Sequence, residues 1–145
     1  MDFLSALNIS GSGLTAQKLR MDVISQNIAN ADVTRTESGT AYRRKMVVLG
    51  SIGVNGSFRE AFDKASGGRT CGVQVKSIIE DRSPLVPVYN PSHPDANEDG
   101  YVMMPNVNTM QEMIDMLSAS RAYEANVTAF NATKAMALKA LEIGR

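Results

Sequence analysis

The first 33 residues carry apolar side chains at a heptad-like spacing. Four of them recur every seven positions, namely Leu7, Leu14, Met21 and Ile28, and three more lie at an offset of three, namely Phe3, Ile24 and Ala31. This pattern predicts a helix that packs one stripe against a partner helix. Gly11 and Gly13 interrupt it, and each glycine costs about 1 kcal/mol relative to alanine in a helix. We therefore expect a break or hinge there and a firm helix over residues 13–31.

Residues 34–105 have a different pattern, because they hold all five prolines and eight of the eleven glycines. A long helix is excluded here. Short segments rich in β-branched and aromatic residues alternate with turn clusters, and they predict strands at 42–49, 72–79, 85–89 and 101–104. We expect a β-rich module with long loops.

Residues 106–143 contain neither proline nor glycine. Asn108 and Gln111 resemble a capping box, and Gly144 stands where a helix would stop. One helix of roughly 35 residues would be about 50 Å long. A compact chain of this size is only about 40 Å across. We therefore expect an elongated molecule, with residues 1–33 and 106–145 forming one helical domain and 34–105 inserted between them.

The C-terminal helix has two apolar faces rather than one. The first seam comprises Met110, Met113, Leu117, Val127, Leu138 and Leu141, and the second comprises Met116, Ala119, Tyr123, Phe130, Ala137 and Ala140. A helix that is apolar nearly all round is buried on more than one side. The shorter N-terminal helix covers one face only, so self-assembly is expected to cover the other. The alternative is a soluble helical-hairpin adaptor that forms a small closed oligomer.

Asparagines interrupt the apolar face of the N-terminal helix in the stretch ISQNIANADVT, residues 24–34. Asn30 followed by Asp32 is suitable chemistry for ending a helix. Asn27 and Asn30 also match polar intrusions in the other helix, at Asn126 and Asn131. Because an unpaired buried amide costs about 1–3 kcal/mol, such residues penalise a wrong register. We hypothesise that they set the register of helix association.

Composition and charge exclude several classes of function. The net charge is zero and tryptophan is absent, so neither a nucleic-acid footprint nor an anionic-membrane surface is expected. A single cysteine, Cys71, allows no intrachain disulfide. The start of the chain lacks the pattern of a secretory signal, and no apolar run is long enough to span a bilayer. We expect no membrane insertion, and either a cytosolic protein or one exported without signal cleavage.

One dinucleotide-like motif occurs, but its context is wrong. Gly11, Gly13 and Ala16 fit G-x-G-x-x-A, with Asp32 at a suitable distance. That motif requires a preceding strand and a βαβ unit, and heptad-patterned sequence surrounds it instead. We expect no cofactor and no small-molecule substrate.

The remaining candidate sites are equally weak. The run D-x-N-x-D-G at 95–100 fits half of a calcium loop, but Asn106 stands where a bidentate glutamate belongs. We interpret the run as an Asx-rich turn and expect no metal site. His93 and Cys71 are the only residues of their types, and nothing near either indicates an activated pair. His93 is expected to be an exposed loop residue, and we expect no catalytic residues and no enzyme activity.

The two ends of the chain together resemble one known family. Residues 9–49, ISGSGLTAQKLRMDVISQNIANADVTRTESGTAYRRKMVVL, are similar to the N-terminal signature of bacterial flagellar axial proteins, the rod and hook family. Residues 89–144 are similar to the C-terminal signature, including the run NPSHPDANEDGYVMMPNVN. The resemblance covers roughly residues 1–50 and 88–145, and residues 51–87 carry no part of it.

This resemblance implies a mainly α fold in which the long terminal helices form an antiparallel coiled-coil pair and the central module projects outward. It implies a subunit of the flagellar basal-body rod, a hollow helical drive shaft that transmits torque and encloses an export channel. The implied partners are copies of the chain, other rod proteins and the flagellar type III export apparatus. The implied location is the rod where it crosses the periplasm, reached without a cleaved signal peptide. The residues expected at subunit interfaces are Leu7, Leu14, Met21, Ile24, Asn27, Ile28, Asn30, Met110, Met113, Leu117, Tyr123, Asn126, Val127, Phe130, Asn131, Leu138 and Leu141.

Overall fold

Two long helices flank two small antiparallel sheets. The computed structural model describes residues 3–52, 62 and 72–143. In chain order the elements are α1 (Phe3–Ala29), β1 (Lys45–Ser51), β2 (Val73–Glu80), β3 (Val86–Tyr89), β4 (Tyr101–Met104) and α2 (Thr109–Ile143). The expected mainly helical fold with a central β-rich insertion is confirmed at this level.

Helix α1 continues through both of its internal glycines, so the predicted break near Gly11 and Gly13 is wrong. Tertiary packing outweighs the low helix propensity of glycine. A β-carbon on Gly13 would lie only 3.0 Å from Asn126 Oδ1, so α2 passes very close to α1 at this point. Gly11 has nothing within 4 Å of the same position. The two glycines therefore have different surroundings although they are two residues apart.

The buried stripe of α1 lies one position away from the predicted heptad. Ala16 and Val23 are 2% and 3% exposed, and Asn27 is 1% exposed. The predicted positions Leu7, Leu14, Met21 and Ile28 are only half-buried. Small side chains on the true stripe let the helices approach closely, and this leaves the larger apolar residues beside the contact rather than within it.

Helix α2 begins at a well-formed cap. The Asn108 Oδ1 atom accepts hydrogen bonds from the backbone N–H groups of Met110 at 3.1 Å and Gln111 at 3.3 Å. The helix therefore starts at Thr109 rather than at residue 106, because Asn108 serves as the capping residue. The predicted stop at Gly144 lies outside the described residues.

The two sheets are separate hairpin-like pairs. Strand β1 pairs antiparallel with β2 from Lys45 opposite Glu80 to Ser51 opposite Val73, with an irregularity between Val48 and Leu49. Strand β3 pairs antiparallel with β4 from Val86 opposite Met104 to Tyr89 opposite Tyr101.

The strand predictions are correct in number and differ in bounds. The segment 101–104 is matched, and the predicted strands 72–79 and 85–89 differ by one residue at one or both ends. The first strand starts at Lys45 instead of residue 42. The reason is that Tyr42 and Arg44 direct their side chains toward the helices, where they bond Asn27 and Glu112.

Helix α1 lies at the centre of the described structure, in contact with α2 and with both strands of the first sheet. The β1–β2 pair runs alongside it. Lys45, at one end of the pair, bonds Asn27. At the other end the backbone N–H of Val73 donates to Ser12 Oγ at 3.0 Å. Gly72 is required here, because a β-carbon on it would meet Ser12 Oγ at 2.5 Å.

Three contacts between α1 and α2 are ordered in opposite directions along the chain. Asn27 bonds Glu112, Arg20 faces Asp115, and Gly13 lies against Asn126. As the position in α1 decreases, the position in α2 increases. At these three levels the helices are therefore antiparallel neighbours.

Candidate assembly interface

Helix α2 exposes a strip of large apolar side chains, which we call the bare strip. Its members are all more than half exposed: Met110 at 67%, Met113, Ile114, Leu117, Met136, Leu138, and Leu141 at 71%. Soluble chains rarely leave such a contiguous apolar strip open to water unless it is an interaction site. The bare strip is therefore the strongest candidate for an assembly surface.

The two predicted seams of α2 now have different positions. The seam of Met116, Ala119, Tyr123, Phe130 and Ala137 is buried or half-buried. Ala119 is fully buried, as expected for a helix that approaches α1 closely. The other seam is on the bare strip, apart from Val127, which is half-buried. Neither helix of the described chain is long and apolar enough to cross a membrane, so a bilayer core is no partner for this strip.

A buried polar cluster joins α1, β1 and α2 at one end of the helix pair. We call it the polar junction and define it as Asn27, Tyr42, Arg44 and Glu112. The Asn27 amide nitrogen donates to Lys45 O at 2.8 Å and to Glu112 Oε2 at 2.9 Å. Its oxygen accepts from Lys45 N at 2.9 Å and from the Tyr42 hydroxyl at 3.0 Å. Two donors and two acceptor sites are all an amide has, so Asn27 is satisfied within its own chain.

Glu112 is the buried charge of the polar junction. The residue is 1% exposed, and its Oε1 atom accepts from Arg44 Nε at 2.6 Å. The Arg44 guanidinium extends to Asp115 at 3.5 Å, and Asp115 also faces Arg20 at 3.9 Å. A buried carboxylate is tolerated only when it is paired and hydrogen-bonded. Arg44, brought in by the start of β1, supplies that pairing.

Tyr42 closes the polar junction from the side of the first sheet. Its ring is 9% exposed, and Lys45 Nζ lies 5.8 Å from the ring centroid. Burial raises the pKa of the Tyr42 hydroxyl above its ordinary value of 10.0, and the carboxylates of Glu112 and Glu80 raise it further. The neutral hydroxyl is therefore the form that this site stabilises.

The residues predicted at subunit interfaces fall into three groups by exposure. Ile24 and Asn27 are buried in the chain, and the half-buried group is Leu7, Leu14, Met21, Ile28, Asn30, Tyr123, Asn126, Val127 and Phe130. The exposed group is Met110, Met113, Leu117, Asn131, Leu138 and Leu141. Their part in contacts between subunits stays a prediction, and the exposed group is the set free to make them.

The four predicted register asparagines do not bond one another within the chain. The Asn30 amide donates to Gln26 O at 2.7 Å, and that of Asn126 donates to Ala122 O at 2.9 Å. Asn131 is exposed. Of the four, Asn27 alone bonds other elements through its side chain, so the register it sets here is that of α1 against β1 and α2.

Sequence reasoning missed Tyr42, Arg44 and Glu112. A signal for Glu112 was present, because it lies four residues before Met116 and seven before Ala119. Those intervals place it on the buried stripe of α2. A charge at such a position needs a partner, and the pattern does not indicate where the partner lies.

The weak motifs have structural explanations. Gly11, Gly13 and Ala16 lie in the interior of α1, where there is no strand-to-helix turn to hold phosphate. Asp95, in the β3–β4 loop, accepts from Thr34 Oγ1 at 2.8 Å. In the described ranges no three or more of His, Cys, Asp and Glu are grouped so that they could hold a metal ion.

His93 is half-buried rather than exposed. Its Nδ1 atom accepts from the backbone N–H of Asp95 at 3.1 Å, so it takes part in the loop's own turn. The other member of the hypothetical pair, Cys71, lies outside the described residues.

Comparison with known proteins places these features in a family. Residues 7–35 match the family model described as flagella basal body rod protein, and residues 98–143 match the model for the C-terminal part of flagellar basal body rod FlgEFG proteins. The flagellar basal-body rod protein FlgC of Bacillus subtilis is 50% identical over 150 aligned residues that cover all of both chains. FlgC of Borreliella burgdorferi is 46% identical, covering 99% of this chain and 98% of that one. FlgC of Salmonella typhimurium is 41% identical over the full length of both. These relatives are named as structural rod proteins, in agreement with the expectation that the chain is not an enzyme, and the chain belongs to the FlgC family of flagellar basal-body rod proteins.

Proposed function

We propose that this structural rod subunit packs its terminal helices into the wall of the proximal rod, a hollow helical drive shaft. Neighbouring copies and other rod proteins cover the apolar surface that one chain leaves open. The shaft transmits torque through the sum of these contacts and encloses the export channel. Membership in a rod family counts against the alternative of a soluble helical-hairpin adaptor in a small closed oligomer.

The two helices act in this proposal as an antiparallel coiled-coil pair that gives the subunit its elongated shape. The three oppositely ordered contacts between α1 and α2 support this arrangement. Helix α2 has 35 residues and so is about 50 Å long, against 27 residues in α1. One end of α2 therefore extends beyond α1, and the exposed Leu138 and Leu141 belong to that end.

The route to the rod belongs to the same proposal. The chain is delivered by the flagellar type III export apparatus without a cleaved signal peptide, and it assembles in the part of the rod that crosses the periplasm. Family membership supports the destination.

The observation that carries the proposal is the bare strip. Burial of apolar surface yields about 25 cal/mol per Å². Open helical assemblies arise from heterologous contacts in which each subunit uses several different patches. A strip that extends along one side of α2, opposite α1, is suited to such contacts.

A charge placed at the far end of the bare strip tests the proposal. Leu138→Asp should weaken association of the purified chain, with itself or with other rod proteins, by about tenfold or more, because the interface must then bury an unpaired carboxylate. In cells it should abolish rods and swimming. Thr128→Asp is the matched control, since it places the same charge at an exposed polar position of the same helix. Normal rods with Leu138→Asp would overturn the proposal.

A further inference from the structure

One exposed apolar surface lies on the β3–β4 hairpin and carries negative charge. We call it the hairpin patch, and it comprises Tyr89, Glu98, Asp99, Tyr101 and Met103. The Tyr89 side is the most open, at 65% exposure, and its ring packs edge-on against Tyr101 with centroids 5.3 Å apart. Glu98 and Asp99 are exposed beside this pair, and in the described part of the chain no cation forms an ion pair with either.

Neighbouring Asp95 shows the contrast. It accepts from Thr34 Oγ1 and lies 3.6 Å from the Arg35 guanidinium. It is thus used inside the chain, whereas Glu98 and Asp99 point their charge outward. The Tyr89 ring is held in place over Gly100, whose positive φ of 78° leaves no room for a side chain under the ring. The aromatic and acidic groups are therefore fixed next to each other.

The second surface lies on α2 and carries positive charge. We call it the helix patch, and it comprises Met113, Ile114, Leu117 and Arg121. These residues line one shallow depression of about 390 Å³. The three apolar side chains are each more than half exposed. Arg121 is exposed as well, and no acidic group of the described residues pairs with it.

We propose that the hairpin patch of one copy docks on the helix patch of the next copy, with Arg121 entering between Glu98, Asp99 and the face of Tyr101. This inference rests on the proposed function, since it requires copies of the chain to associate. Each patch supplies the charge that the other lacks, and both offer apolar surface around that charge. A guanidinium over a tyrosine face gains a cation–π contact in addition to its ion pairs.

The geometry of this contact produces an open array. The two patches are different surfaces of one chain, so a contact between them is heterologous. Each docked copy still presents one free patch of each kind. The contact can therefore repeat along a helical path, which a two-fold contact between identical patches would not allow.

Covalent capture tests the pairing of the patches directly. In a background where the single cysteine is replaced, Cys71→Ser, one preparation carries Asp99→Cys and another carries Arg121→Cys. A short bismaleimide should join the two preparations into a mixed dimer, and should give much less product with either alone. The matched control pairs Asp99→Cys with Lys134→Cys, which places an exposed thiol farther along α2.

Charge exchange tests the energetics. Arg121→Glu, and separately Glu98→Lys with Asp99→Lys, should each weaken self-association by about tenfold, because attraction becomes repulsion. Combining all three changes should restore most of the loss. Lys134→Glu and Glu37→Lys, which alter exposed charges outside the patches, should have little effect.

The outcomes separate this inference from the function on which it rests. Chains that associate normally, without the mixed cross-link and without recovery on charge exchange, would overturn the docking and leave the rod function intact. Association with a different rod protein but not with a second copy would overturn the choice of partner. Absence of any association would count against both.

Discussion

At the scale of single residues, the polar junction explains why polar side chains occupy a buried stripe. Asn27 is satisfied by four hydrogen bonds that reach β1, α2 and the segment before β1. Leucine at this position would leave the Tyr42 hydroxyl, the Lys45 backbone and Glu112 each short of a partner. Buried polar groups left in this state cost about 1–3 kcal/mol apiece. Asn27 is therefore a structural requirement of the single chain before any neighbour is considered.

The pairing of Arg44 with Glu112 is open to a double-mutant cycle. Arg44→Met leaves a buried carboxylate without its cation and should lower the free energy of unfolding by about 3–5 kcal/mol. Glu112→Gln alone should cost about 1–3 kcal/mol. The double variant should be more stable than the sum of the single effects predicts by at least about 1 kcal/mol, measured by urea unfolding.

Arg43→Met provides the control for this cycle. The Arg43 guanidinium donates only to the backbone oxygens of Asp81 and Ser83. Its loss should be milder and should add to Glu112→Gln without coupling. Equal coupling for Arg43 and Arg44 would contradict the pairing.

Tyr42 makes stability depend on pH in the alkaline range. Its folded-state pKa lies above the unfolded value of 10.0, so the site binds its proton more tightly in the folded chain. The stabilisation is complete below about pH 10 and is lost as the pH rises through the folded pKa. Tyr42→Phe should cost about 0.5–1.5 kcal/mol at neutral pH, because Asn27 loses one donor.

That deficit should shrink or reverse above about pH 10, where only the wild-type chain has this hydroxyl to ionise. Unfolding of both proteins by urea across this range gives the difference directly. A difference that does not change with pH would show that the hydroxyl does not remain protonated for the reason given.

At the scale of elements, the contact between α1 and α2 depends on small side chains. Gly13, Ala16 and Ala119 lie where the helices come closest, and Ala119 has no exposed surface. Close approach brings backbones together and leaves little room for a methyl group. The adjacent half-buried residues, such as Leu14 and Met21, then cover the contact from the side.

The two glycines of α1 offer a matched test of this packing. Gly11→Ala should raise stability by about 0.5–1 kcal/mol, since alanine favours the helix and nothing occupies the space of its methyl group. Gly13→Ala gains the same propensity, but its methyl group would crowd Asn126 and disturb that residue's bond to Ala122 O. It should therefore be less stable than Gly11→Ala by about 1 kcal/mol or more.

Thermal unfolding followed by helical circular dichroism measures both variants. Adding Asn126→Ala to Gly13→Ala should recover part of the loss by removing the crowded amide. If the two glycine variants were equally stable, the close approach at Gly13 would not be the limiting contact.

At the scale of the whole molecule, one chain covers one face of α2 and leaves the other for assembly. Sequence periodicity predicted this surplus of apolar surface, the two long helices and four strands, because each depends on local spacing. It did not predict which seam faces inward, because that depends on where Gly13 and Ala16 let α1 approach. Nor did it predict the polar junction. Residues 27, 42, 44 and 112 are distant in sequence, and only the packing of β1 against both helices brings them together.

The sequence separation within the polar junction determines when the chain can fold. Asn27 and Glu112 are 85 residues apart, and Arg44 and Glu112 are 68 apart. Contacts this distant form late, because a large loop must close first. A subunit that travels through a narrow conduit as an extended strand cannot close the junction until both segments have emerged. The same buried glutamate that fixes the helices in the finished subunit would then hinder their pairing in transit, so the chain stays threadable until it reaches the place where it is built in.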